Sequence, residues 1–316
     1  MAKYSFLLAL SGSEQSRYAA ELAWKLAKEL DARVTAQHVI DSRTTWELLR
    51  NDTPGFLGSG PYVNAYESVV ESLRSLANKL AEKYEMHARE QAVETEVIIS
   101  EGNPVAILSQ QASSYDMLII GHQPSGVKVS DHERCHYIKY SVAEGVAHES
   151  AVPILIVQGK PAPWKSLTVL SEMDHVNFML IRSGLRLAKM LNLKPQLEFL
   201  GTGTREETPD NFKADLVKAV PEAADTSVGF ELYAGQAAND RQALFHTQAS
   251  DVNLETNADT LLMVPTRGVG RDRITLFGSS PDVFVRHLTL PNILFWPEEH
   301  VEFGADAKSK ETVALK

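Results

Sequence analysis

The sequence predicts an α/β protein built from two tandem, doubly wound, parallel five-stranded sheets. Three observations predict this. Short apolar or β-branched runs alternate with helix-period stretches, the series restarts after a proline-rich segment, and 316 residues fit two domains of about 150 residues each.

In the first repeat the strand-like runs are Tyr4–Leu10, Arg33–Ile40, Thr95–Ser100, Met117–Gly121 and Pro153–Val157. The first helix spans Glu14–Leu30, with Ala20, Leu22, Ala23, Leu26, Ala27 and Leu30 near helical spacing behind a Ser13 N-cap. Between strands two and three, Asp41 to Pro61 carries Asn51-Asp52-Thr53-Pro54-Gly55 and Gly58-Ser59-Gly60-Pro61. It is expected to form a long loop over the carboxyl ends of the strands, where it would serve as a lid.

After Gly159-Lys160-Pro161-Ala162-Pro163 the pattern repeats, with strands at Leu167–Leu170, Gln196–Leu200, Gly229–Tyr233, Thr260–Val264 and Asn292–Trp296 and a helix over Asn177–Leu191. Local phrases align as well. Leu26-Ala27-Lys28 matches Leu187-Ala188-Lys189, and Ala151-Val152-Pro153-Ile154 matches Leu290-Pro291-Asn292-Ile293. The expected domains are residues 1–160 and 161–298, followed by a flexible tail over 299–316.

Composition narrows the function. A formal charge of −10 argues against a nucleic-acid partner, since that affinity rests on clustered Lys and Arg. The single cysteine, Cys135, excludes an intrachain disulfide and fits a reducing compartment, hence the cytoplasm. The apolar run Tyr4–Leu10 is too short for a secretory leader, and no run reaches membrane-spanning length, so no membrane partner is expected.

The strongest functional signal follows the second repeat's fourth strand. Leu261–Val264 runs into Pro265, Thr266, Arg267 and Gly268, then nine residues lead to Gly278-Ser279-Ser280. A loop of small residues between a buried strand and a helix exposes backbone N–H groups that suit phosphate, and Arg267, Arg271 and Arg273 are positioned to neutralise an anion. The first repeat holds a weaker copy in Gly121, Gly126 and Ser141.

With these motifs the chain resembles the universal stress protein family in its tandem two-domain form. The hallmark of nucleotide-binding members is Gly, two residues, Gly, nine residues, then Gly with Ser or Thr. Leu10-Ser11-Gly12-Ser13-Glu14, His38-Val39-Ile40 and Glu101-Gly102-Asn103-Pro104 also fit the family's turns. The resemblance implies a Rossmann-like, adenine-nucleotide α-hydrolase-like fold, its two domains packed as a pseudo-dimer. It also implies a stress-response accessory role, ATP with Mg²⁺ as cofactor, and a homodimer. In such members the strand-one Asp and strand-two backbone hold adenine while the glycine loop holds the phosphates.

Transferred by position, the second domain's binding set is Ser171, Thr266, Arg267, Gly268, Gly278, Ser279 and Ser280, and the first domain's weaker set is Ser11, Val39, Gly121, Gly126 and Ser141. Both copies depart from the hallmark. The second has Pro265 at the first glycine and Ser171 at the Asp, while the first has Pro124 and Tyr140 at glycine positions, fifteen residues between them, and Ser11 at the Asp. A proline removes an N–H that would meet phosphate, so the second domain is the expected nucleotide site.

Other constellations weigh less. Ser11-Gly12-Ser13-Glu14-Gln15-Ser16 resembles the pyrophosphate loop of adenylating ATP-pyrophosphatases, but Ser13 and Gln15 stand where glycine and aspartate belong. Helix capping by Ser13 is simpler. His132-Glu133-Arg134-Cys135-His136 has His-Glu-x-x-His spacing, with His132, Cys135 and His136 as candidate metal ligands on a solvated insertion. His122 and His148 lack any Ser-His-Asp order. The reading is therefore a binder rather than an enzyme, with a ligand-free protein-interaction module as the rival.

Overall fold

A computed structural model describes residues 3–50, 60–122, 141–201, 209–232, 259–287 and 291–300. Its contacts divide the chain into two compact units, Met1–Val146 and Ala147–Lys316.

The first unit is a parallel sheet in the order β3-β2-β1-β4, formed by β1 (Tyr4–Ala9), β2 (Ala32–Ile40), β3 (Thr95–Glu101) and β4 (Met117–Gly121). β1 is central, Phe6 standing opposite Val34 on one side and Met117 on the other. Its nearly continuous burial is what a parallel strand covered on both faces requires. Helix α1 (Glu14–Leu30) packs on β1, β2 and β4. Ser13 caps it, accepting from the Ser16 N–H at 3.1 Å, and Asp31 ends it in the left-handed region at φ 53°.

The expected long loop is half helix. Asp41 accepts from the Thr44 N–H at 2.9 Å and the Thr44 hydroxyl at 2.7 Å, which starts α2 (Ser42–Arg50). Trp46 then meets Tyr66 of α3 (Gly60–Glu90) edge-on at 5.2 Å. The lid assigned to this stretch falls largely on residues 51–59, outside the described residues. α4 (Pro104–Ala112) is capped by Asn103, and α5 (Val142–Glu149) follows residues 123–140, also outside the described set.

The second unit orders its strands β5-β10-β9-β6-β7-β8. These are β5 (Ile154–Val157), β6 (Ser166–Glu172), β7 (Lys194–Gly201), β8 (Ser227–Leu232), β9 (Thr260–Thr266) and β10 (Asn292–Pro297). All pairs are parallel except β5–β10, where Asn292 faces Val157 in an antiparallel register. β5 and β10 close different repeats, and within each repeat the described strand pairs are parallel, as expected. By contacts β5 lies with the second unit although its sequence closes the first repeat. The remaining helices are α6 (Phe178–Met190), capped by Asn177, α7 (Pro209–Ala219) and α8 (Pro281–His287). α6 approaches β6 so closely that a Cβ on Gly184 would sit 2.4 Å from Val169 Cγ2.

Candidate functional site

In an open α/β sheet, ligands bind outside the carboxyl ends of the strands where the strand order reverses. In the first unit that point lies between β1 and β4. A cleft of about 400 Å³ opens there. Ala9 to Ser11 at the end of β1, Gln37 to Val39 in β2, and Ile120 to His122 at the end of β4 form its base, and Ser141 to Ala143 at the start of α5 close one side. Pro104 and Leu108 of α4 complete the wall. The structure thus brings Ser11, Val39, Gly121 and Ser141 together in one cavity, while Gly126 lies outside the described residues.

Each of these residues has a local reason for its place. Gly121 is glycine because a Cβ would fall 2.4 Å from the Gln15 backbone carbon at the start of α1. The Ser11 N–H donates to Ser16 Oγ at 2.8 Å, and its exposed hydroxyl lies 3.0 Å from Ser13 Oγ. Ser141 and Glu144 form a capping box on α5. The Glu144 N–H donates to Ser141 Oγ at 3.1 Å, and the Ser141 N–H donates to Glu144 Oε2 at 2.7 Å. Ser-x-x-Glu spacing is visible in the sequence and was the signal available for this helix start. Buried His122 places Nδ1 3.2 Å from Ser141 Oγ.

Two cleft residues were not singled out from sequence. Gln37 is buried, its Nε2 donates to Ser100 Oγ at 3.1 Å, and its Oε1 has no hydrogen-bond partner among the described residues. A buried acceptor without a donor costs free energy unless something supplies one. His38 Nδ1 lies 2.9 Å from the Leu10 carbonyl. A carbonyl only accepts, so Nδ1 carries the proton and Nε2 of the neutral ring is left as an acceptor. No Lys or Arg is among the described residues lining the cleft.

The second unit's glycine loop has a different character. Gly268, Gly270 and Gly278 all take positive φ, at 75°, 60° and 72°, so glycine meets the demands of the turn. The loop's donors turn inward. The Arg267 and Ile274 N–H groups donate to each other's carbonyls at 2.8 and 2.9 Å, the Thr275 N–H donates to the Ser279 carbonyl at 2.6 Å, and the Ser279 N–H donates to the Leu276 carbonyl at 3.0 Å. Ser171 is buried, its hydroxyl donating to the Glu172 carbonyl at 3.5 Å. Ser280 donates to Asp282 and lies 3.3 Å from His148 Nε2, which is itself 3.2 Å from Asp282 Oδ1.

Of the three arginines expected to face an anion, Arg267 and Arg273 are engaged by the protein, which corrects that expectation for these two. Arg267 pairs with Glu172 and approaches Glu298 Oε1 at 3.8 Å. Burial pushes the Glu298 carboxyl up from its ordinary value, against the pull of His175 and Arg267. Arg273 is only 2% exposed, and its guanidinium donates to the Gly268 carbonyl at 2.9 Å, the Ala147 carbonyl at 3.3 Å and the Ser150 carbonyl. Burial lowers its pKa, with Glu299 and Glu149 opposing. The hydroxyls of Thr266 and Ser279 are buried without a partner in this loop.

The His-Glu-x-x-His segment over 132–136 lies outside the described residues, and among those described no group of three metal-ligating side chains forms a candidate site. Among them also, no helix is long and apolar enough to cross a membrane.

Two parallel α/β units, one with a crevice at its switch point, define the class to which nucleotide-type binding folds belong. The model of the Universal stress protein family matches residues 5–158, so this stretch of the chain is a universal stress protein domain. A curated universal stress protein of Staphylococcus haemolyticus (strain JCSC1435) is 25% identical over 167 residues, covering 50% of this chain and 87% of its own length. The crystal structure of a universal stress protein from Archaeoglobus fulgidus DSM 4304 is 17% identical, covers 94% of this chain and 99% of its own, and superposes with a TM-score of 0.59, so the fold is shared along almost the whole chain. A universal stress protein in complex with cAMP is 18% identical, with coverage of 50% and 99% and a TM-score of 0.33.

Proposed function

We propose that this chain is a cytoplasmic stress-response accessory protein with two universal stress domains, 1–160 and 161–298, and that it binds a nucleoside or nucleotide in the cleft of the first domain. The observation that carries this reading is the unpartnered Gln37 Oε1, buried in the base of a cleft at the switch point. An exocyclic amine of a base would supply the missing donor. The His38 Nε2 acceptor and the apolar side chains of Val39, Leu108 and Val142 suit the rest of a planar ring.

Phosphates add little to this reading. The described lining has no cation, and Glu144 takes the place at the α5 N-terminus that an anion would use. The base then dominates, and ATP with Mg²⁺ should bind no more than about tenfold better than AMP or adenosine. Calorimetric titration of nucleotide-stripped protein with adenosine, AMP, cAMP and ATP with Mg²⁺ tests this. Val142→Trp fills the cleft from a position that is already 37% exposed and should weaken binding at least tenfold without unfolding. Heat that persists in Val142→Trp and disappears in Gly278→Trp would instead place the ligand at the second domain's loop.

A second reading, an interaction module in which the second domain binds no small ligand, is favoured by that loop's inward-turned hydrogen bonds. Absence of any nucleotide response in the wild-type chain would make it the better account.

A further inference from the structure

The first unit has a second cavity, of about 780 Å³, between α1 and the C-terminal half of α3. α3 runs for 31 residues yet buries only Val70, Ala77, Tyr84 and Ala88. Those residues form a single seam, three of them seven apart. A second apolar row runs beside it at spacings of four and three, Val69, Leu73, Leu76 and Leu80, of which Val69 and Leu76 are exposed and Leu73 and Leu80 half-buried. Leu76 is 63% exposed. Leu76 and Leu80 make one wall of the cavity and Ala20 and Trp24 of α1 the other, with the Trp24 Nε1–H donating to the Tyr84 hydroxyl at 3.1 Å between them.

Farther along α3 the row changes chemistry. Lys79, Lys83 and His87, at i, i+4 and i+8, all line the cavity. Like charges at i, i+4 repel on a helix. His87 has Glu90 at 3.1 Å, but among the described residues neither lysine has a carboxylate within ion-pair distance. Across the cavity Arg17 is held by Glu14 and Glu21, at 3.4 and 3.0 Å, so the uncompensated charge sits on α3.

We propose that this cavity binds a soluble anionic amphiphile as a single molecule, its hydrocarbon body along Leu76, Leu80 and Trp24 and its acid group on Lys79 and Lys83. An apolar floor beside two ammonium groups with no carboxylate partner among the described residues selects a ligand with both features. A neutral hydrocarbon leaves the lysines unused, and a small anion leaves the apolar walls wet. The site is separate from the nucleotide cleft, with which it shares Leu10, Ser11 and His38 as a common wall.

The test is titration of the full chain with octanoate, decanoate and dodecanoate below their micellar concentrations, followed by calorimetry and Trp24 fluorescence. The expected result is one site per chain, with affinity rising about three- to fourfold per added methylene. Dodecanol should bind at least tenfold more weakly than dodecanoate. The double variant Lys79→Gln with Lys83→Gln, at exposed positions, should erase that preference while leaving dodecanol binding and any nucleotide response unchanged. Leu76→Asp should abolish both.

The proposal is overturned by equal binding of dodecanoate and dodecanol, or by dodecanoate binding that ignores Leu76→Asp. It is equally overturned if anionic vesicles bind while monomeric dodecanoate does not. A dimer that Leu76→Asp dissolves, without dodecanoate binding, would assign the stripe to a second copy of the chain.

Discussion

The two units place glycine-containing loops at the carboxyl ends of similar sheets, yet one end is open and the other is closed on itself. In the first unit the cleft keeps a buried Gln37 oxygen without a donor among the described residues and a half-buried His38 whose Nδ1 meets the Leu10 carbonyl. In the second unit, where the glycine spacing is nearer the binding hallmark, the Arg267 and Arg273 guanidinium groups are spent on a carboxylate and carbonyls of the same chain. Motif spacing therefore reports turn geometry, whereas availability depends on what the rest of the fold brings to the loop.

The comparison breaks most sharply at Arg273. Its guanidinium ties the Gly268 carbonyl to the Ala147 and Ser150 carbonyls at the C-terminal end of α5, where a cation also meets the negative end of the helix dipole. Arg273→Met keeps the volume but leaves buried acceptors unsatisfied. It should cost about 4 kcal/mol in urea unfolding. A loss below about 1 kcal/mol would mean that the loop is not held by this residue.

Glycine substitutions sharpen the same contrast by cause. Gly121→Ala drives a Cβ into the backbone of α1 at 2.4 Å and should cost about 3 kcal/mol through forced separation of helix and strand. Gly278 has open space around its Cβ, and only its φ of 72° resists a side chain, so Gly278→Ala should cost about 1 kcal/mol. Thermal melts of the two variants should rank in that order. Equal melting temperatures would refute the assignment of one glycine to close packing and the other to backbone conformation.

How much of this was legible in the sequence follows from range. The central strands were readable because they are short apolar runs buried on both faces, as in Phe6-Leu7-Leu8 and Leu261-Leu262-Met263, and α1 because its apolar period and Ser13 cap agree. α2 was missed because the neighbouring Asn, Pro and Gly residues dominate its stretch, whereas its start depends on Asp41 capping through Thr44 and its packing on Trp46 meeting Tyr66. The candidate site was harder still. Arg267 reads as available until Glu172, 95 positions away, is beside it, and Gln37 reads as an ordinary polar residue until burial removes its water.

The smallest predicted effect concerns pH, at the closed end of the second unit. The Asp282 carboxyl is held down to about 2 from 3.8, first by its hydrogen bond to His148, then by Ser280 and Arg286, against the opposing cost of burial. A carboxylate depressed in the folded state contributes stability that is present above its unfolded value and lost as pH falls through the folded one. At about 1.4 kcal/mol per unit the whole contribution is about 2 kcal/mol, and about 1 kcal/mol of it should vanish between pH 5 and pH 3. Urea unfolding of wild type and Asp282→Asn at those two pH values isolates this term. The wild type should lose about 1 kcal/mol more than the variant on acidification. An identical loss in both would remove the His148–Asp282 pair from the interactions that hold this loop shut, leaving Arg273 as its principal fastening.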